Sequence, residues 1–370
     1  MSNIKAIGKF LDQPILVAKF QKAVPTLLTT GAAAYTLYDA SKEKDPQKRK
    51  QRALKTGITL GTTVTAALVA PKIAANITKR ALPTSLNVIK KNNARLVDSF
   101  IRNSNVDDAT ATILNKSKKQ ILNLKEVNTI FNNLSKDEKG KDFLSKLIPA
   151  PENISAKDIF SEIGYLSIFG AIPVIGGITG GVIADKVTDK KNWKAKVPDK
   201  IKEGSYQYLA NIFMCNVGAG IALGLMEKIG VTSKIGRAAG MTAGIIATGV
   251  LGGSKIANFI SNKMIDPLFD KKSSKGLPQN NKHHDMSDHT HQIQQSNTTN
   301  LVEFHSRRYE NKNEFKKEVK KDRTPEALDI GLHVDDISTV SLLSGLKWIE
   351  PALPVMYTIS GYRAGIGYRN

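Results

Sequence analysis

Four histidines fall within nine residues, His283, His284, His289 and His291, with the carboxylates Asp285 and Asp288 between them. Imidazole and carboxylate at this spacing can bind Zn²⁺, Ni²⁺ or Cu²⁺. A metal centre also needs a scaffold that fixes its ligands. Residues 271–323 are rich in Ser, Asn, Gln, Lys and His with few apolar side chains, the composition of a solvated linker. The cluster is therefore read as part of a disordered basic linker, and no metal site is expected.

Gly218-Ala219-Gly220-Ile221-Ala222-Leu223-Gly224 resembles a phosphate-cradling turn, where glycines permit a tight bend and a close approach to pyrophosphate. Its third glycine comes one place late, with Leu223 in the slot, and no acidic residue closes a second strand. Gly220 and Gly224 instead read as a small-residue ridge on an apolar helix. Cys215 is the only cysteine, which excludes an intramolecular disulfide and a thiolate cluster. Inside the run NIFMCNV it reads as a buried, inert thiol. No Gly-x-Ser-x-Gly elbow, His-Glu-x-x-His helix or Gly-Lys-Ser/Thr loop occurs. The expectation is a non-enzymatic protein without catalytic residues or cofactor.

The elements that carry these residues repeat. Gly57 to Arg80 aligns without gaps on Gly240 to Lys263, with identity at nine of 24 positions. Both copies place two glycines four residues apart, Gly57/Gly61 and Gly240/Gly244, then a lysine and a short Ile-Ala tail. Gly176/Gly180 and Gly177/Gly181 share that spacing, which stacks the glycines on one helix face as in helices that pack in lipid. A weaker recurrence, Ala-aliphatic-Pro-x, starts at Ala23, Ala171 and Ala352. Together they suggest copies of a helical hairpin.

Five uncharged stretches are candidate spans: 23–38, 56–70, 163–184, 205–226 and 238–254. The third and fourth reach roughly 33 Å as helices, enough for a bilayer core of roughly 30 Å. The shorter ones need snorkelling lysines such as Lys22, Lys72 and Lys255, or local thinning. None contains an acid, and Asp185, Glu203 and Glu227 at their ends read as cap or interface residues.

The 54 Lys and Arg exceed the 33 Asp and Glu, a net charge of +21. This surplus flanks apolar segments and forms no zinc-finger, RRM or KH pattern, so anionic lipid is the expected partner and nucleic acid is not. Two short loops concentrate it. One holds Lys48, Arg49, Lys50 and Arg52, and the other Lys190, Lys191, Lys194 and Lys196. The positive-inside rule places both loops on the cytoplasmic side.

The organisation expected is a first membrane hairpin with a basic leader (1–80), a soluble helical insert (81–161), membrane helices with the second repeat copy (162–270), the linker (271–323) and an interfacial C-terminal segment (324–370). The fold class is all-α: a multi-pass helical membrane protein with duplicated glycine-zipper hairpins and a soluble insert. A structural, scaffold or assembly role at a bacterial inner membrane fits best, with self-association or a membrane-protein partner. A small-solute transporter or pore is the second reading, and a soluble helical nucleic-acid-binding protein the third.

Overall fold

The computed structural model describes residues 3–149, 156–231, 234–273 and 347–367. Among these residues the chain is all-helical, without strands. It separates into two compact units, one of Met1–Ala257 with Pro325–Asn370 and one of Asn258–Thr324.

In the first unit a short helix α1 (Asn3–Leu11) precedes two long ones, α2 (Pro14–Ser41) and α3 (Pro46–Thr78). Asp45 starts α3 by accepting from the backbone N–H groups of Gln47 and Lys48 at 2.7 and 3.1 Å, with Pro46 in the first turn, where its missing N–H costs nothing. Lys79 ends α3 in a left-handed conformation, φ 55°.

Four short helices follow: α4 (Leu86–Asn103), α5 (Asp108–Ser117), α6 (Leu124–Leu134) and α7 (Glu138–Leu147). Asn123 and Glu126 form a reciprocal capping box on α6. These helices bury their own apolar cluster, including Val97, Leu114, Val127, Ile130 and Phe143. Phe100 stacks on Phe143 with centroids 4.0 Å apart. α1 packs on α6. Gln13, at the start of α2, exchanges two buried hydrogen bonds with the backbone of Leu122 at 2.9 and 2.7 Å. The basic leader thus packs on these short helices.

The apolar bundle continues with α8 (Ala156–Thr188) and α9 (Trp193–Tyr208), which runs through a π-helical turn, Leu209–Met214, into α10 (Cys215–Lys228). α11 (Lys234–Ile245) passes through a second π-helical stretch, Ile246–Gly253, into α12 (Ser254–Ile260). A 3₁₀ turn, Lys347–Ala352, leads into the last helix. In the second unit the described residues form the end of α12, a π-turn Ser261–Ile265 and α13 (Asp266–Ser273). The last helix, α14 (Leu353–Ile366), belongs to the first unit.

Four helical stretches are long and apolar enough to cross a membrane: Pro46–Thr78, Glu162–Thr188, Trp193–Lys228 and Ala239–Phe269. The expected span at 23–38 is not among them. It forms part of α2, where the threonines, tyrosines, Pro25 and Gly31 within 23–38 and the flanking Lys19, Lys22 and Asp39 leave the helix less apolar than those four. Of the C-terminal segment expected at the interface, the described residues 347–367 include a helix packed in the bundle. Leu353, Ser360 and Ala364 are fully buried, and the Tyr357 ring meets Phe169 edge-on at 5.1 Å.

Candidate functional site

The long helices pack through glycines. A Cβ added at Gly176 would overlap Ala66 of α3, and one at Gly180 would overlap Thr62. One position on, Gly177 and Gly181 face α14, where a Cβ would collide with the carbonyls of Gly361 and Gly365. The relation is reciprocal, since Cβ atoms at Gly361 and Gly365 would strike the carbonyls of Pro173 and Gly177. α8 therefore lies between two helices, meeting the backbone of α14 and the Ala66 and Thr62 side chains of α3.

The other glycines differ. Gly244 meets the Gly218 backbone and Ala222, while Gly240 meets Met226. Gly220 is buried and Gly224 half-buried. Gly57 has only an ordinary contact, 3.6 Å from Thr36, and Gly61 has nothing within 4 Å. The two copies of the 24-residue repeat thus sit in different surroundings. One local trait is common to them: Thr65 and Thr248 donate to the carbonyls of Gly61 and Gly244, at 2.8 and 2.9 Å.

At one end of the bundle Asp185 of α8 is fully buried between two ammonium groups. Lys55 of α3 lies 2.7 Å from one carboxylate oxygen and Lys200 of α9 lies 2.9 Å from the other. Lys200 is itself buried and donates to the Gly365 carbonyl at the end of α14, 2.6 Å away. A cation at a helix C-terminus also meets the negative end of its dipole. One carboxylate thereby ties four helices together.

A second polar line runs along α9. Gln207 donates to Glu203 at 2.8 Å and Asn211 donates to Gln207 at 3.0 Å. The three residues are four apart, share one helix face, and are all buried. The last falls in the π-turn, which packs against the second π-stretch. There Thr248 donates to the Met214 carbonyl at 2.8 Å, and Gly249 and Gly253 lie against Cys215 and Ala210. Cys215 is buried and donates to the Ala210 carbonyl at 3.2 Å, so its thiol is enclosed.

The two basic loops lie at the Asp185 end. α3 and α8 are antiparallel, joined there by Lys55–Asp185 and at the far end by Arg80–Glu162. The α2–α3 and α8–α9 turns are consequently neighbours at one end, and the insert α4–α7 leaves from the other. Lys48, Arg49, Lys50, Lys190, Lys191 and Lys194 are exposed. Lys186 and Lys194 flank the Trp193 ring at 5.8 and 5.7 Å.

Two of the candidate headgroup contacts form ion pairs within the chain, and a third, Arg49, donates to the Glu43 carbonyl at 3.0 Å. Arg52 grips Asp39 through two hydrogen bonds of 3.0 and 2.9 Å and reaches Glu43 at 2.8 Å, closing the α2–α3 hairpin. That guanidinium holds the Asp39 carboxyl below its ordinary range against the opposing push of burial, with help from Thr56. Lys196 pairs with Asp189 at 2.7 Å.

The His283–His291 cluster lies outside the described residues. Among those described, no group of three or more His, Cys, Asp and Glu is placed to hold a metal. Asp185 and Glu203, expected as cap or interface residues at the ends of spans, are instead fully buried. Gly361 and Gly365 carried the same four-residue spacing as the glycines singled out, but Arg363 between them pointed to an interface. No protein-family model matches the chain, and comparison with curated proteins and with solved structures finds no match.

Proposed function

We propose that the chain is a non-enzymatic integral membrane protein of a bacterial inner membrane, with a structural, scaffold or assembly role. Its basic loops would rest on anionic lipid. One observation carries this reading: charged and polar side chains are buried within the bundle while large aliphatic ones are exposed on its outer face. Asp185, Lys200, Glu203 and Gln207 are buried, while Ile175 and Leu225 on the same helices are 60% and 57% exposed. In water the exposed aliphatic side chains forgo hydrophobic stabilisation, whereas in hydrocarbon they are solvated and the polar groups are better placed inside. The shared end of the two lysine-rich loops agrees with the positive-inside bias.

In this reading the glycine seams are zippers that let short-side-chain helices associate by backbone contact, and the 24-residue repeat is the trace of a duplicated hairpin. Seams still open in the monomer, such as the Gly61 face, are the surfaces on which a second copy or another membrane protein packs. Solute passage is the second reading, favoured by the Glu203–Gln207–Asn211 line beside paired π-turns, which often mark functional sites. Alkaline carbonate extraction of membranes tests the first claim. Retention in the pellet is expected, and release into the supernatant, or a monodisperse detergent-free solution, would overturn it. A liposome flux assay with Gln207→Leu beside the parent chain separates passage from scaffold.

A further inference from the structure

A cavity of about 360 Å³ opens between α2, α3, α8 and the turn before α14. It lies at the Arg80–Glu162 end, away from the basic loops. Pockets that take small ligands run from about 300 to 1,000 Å³, so this one has room for a slender apolar group. Val24, Leu68 and Phe169 supply its carbon surface, and Pro25, Pro71 and Pro354 lie among them. Pro25 and Pro71 stand inside α2 and α3, where a proline ring removes a helical hydrogen bond.

The rim is charged selectively. Arg80 engages both nearby acids, meeting Glu162 directly and Glu350 at 3.5 Å, and its guanidinium lies 4.4 Å over the Tyr165 ring. Lys72 is exposed and has no ion-pair partner among the described residues. It stands six residues before the end of α3 at Thr78, about 9 Å along the axis, within snorkelling reach of a headgroup. The neighbouring Val69, Ile73 and Leu82 are exposed, so apolar surface continues outward from the rim.

We propose that this cavity takes one acyl chain of an anionic phospholipid, whose headgroup Lys72 meets. The chain enters sideways from the bilayer, because the rim is continuous with apolar surface, and the volume admits one chain only. This rests on the membrane reading above.

The test uses the full chain in nanodiscs containing a trace of phosphatidylglycerol with a photoactivatable diazirine on one acyl chain, or the phosphatidylcholine equivalent. Cross-linked peptides are mapped by mass spectrometry. Labelling is expected at Val24, Leu68 and Phe169 above the level at the exposed Ile221 and Leu225, with the anionic probe favoured about fivefold. Lys72→Gln should abolish that preference, and Leu68→Trp or Val24→Phe should remove the cavity labelling while leaving Ile221 unchanged. Equal labelling at all these positions, labelling that persists in both filled variants, or equal labelling by the two probes would overturn the proposal. Failure of the protein to enter nanodiscs, with no labelling anywhere, would overturn the membrane reading and the proposal with it.

Discussion

Lys200 and Asp185 meet 2.9 Å apart in the bundle interior, where neither side chain is more than 2% exposed. Two charges removed from water are costly, and the pair persists because Lys55 and the Gly365 carbonyl take up the remaining oxygen and proton. The group is therefore a lock for helix arrangement more than a source of net stability. Asp185→Asn leaves a buried ammonium opposite a neutral amide. It should cost about 3–5 kcal/mol. The double variant Asp185→Leu with Lys200→Met removes both charges and should recover much of that loss. Thermal unfolding in detergent checks the order. A double variant no more stable than Asp185→Asn would contradict the buried-charge account.

Glycine substitutions should divide sharply by position. At Gly61 a methyl meets nothing within 4 Å, so Gly61→Ala should gain up to about 1 kcal/mol from helix propensity. At Gly177 the same methyl would strike the Gly361 carbonyl, a backbone atom that cannot swing aside. Gly177→Ala should then lose about 1–3 kcal/mol despite the same gain in propensity. Paired melting curves decide it, and equal shifts for both variants would remove α8–α14 packing as the cause.

Some of this was legible in the residues and some was not. Helicity and the apolar runs followed from composition. Four-residue glycine spacing marked Gly176 and Gly180 as well as Gly57 and Gly61, but spacing cannot say which face finds a neighbour. That depends on helices far apart in the chain. The buried charges were hidden for a related reason. Asp185 ends an apolar run and looks like a cap until Lys55 and Lys200, from two other helices, converge on it. The π-turns have no compositional mark, because Leu209–Met214 is as good an α-helical sequence as its flanks.

Acid should loosen the α2–α3 hairpin. The Arg52 hydrogen bonds hold the Asp39 carboxyl below its ordinary value of 3.8. A depressed folded-state value means that the contribution is fully present above the unfolded value and is lost as pH falls through the folded one. Hydrogen exchange near Asp39 and Arg52 should therefore rise only as the pH drops below that ordinary value. Asp39→Asn should be loosened at every pH and flat across the acid range. A parent hairpin equally loosened by acid and by neutral pH would discard the pairing.

The antiparallel pair formed by α3 and α8 fixes which loops share a side. Lys55–Asp185 joins the two helices at the end from which the lysine-rich turns leave, and Arg80–Glu162 joins them where the insert begins and ends. In a bilayer, turns that close on one buried ion pair must face the same compartment. Cys215 is enclosed, so Cys215→Ala gives a cysteine-free background with little change to the surface. In that background Lys48→Cys and Lys191→Cys should react with a membrane-impermeant maleimide only after permeabilisation, as the positive-inside bias requires. Lys125→Cys, exposed on α6, should react in intact cells. Finding the two basic turns on opposite sides would be incompatible with Lys55 and Lys200 sharing Asp185 inside a membrane. Labelling of all three from one side would mean that the α3–α8 pair does not cross.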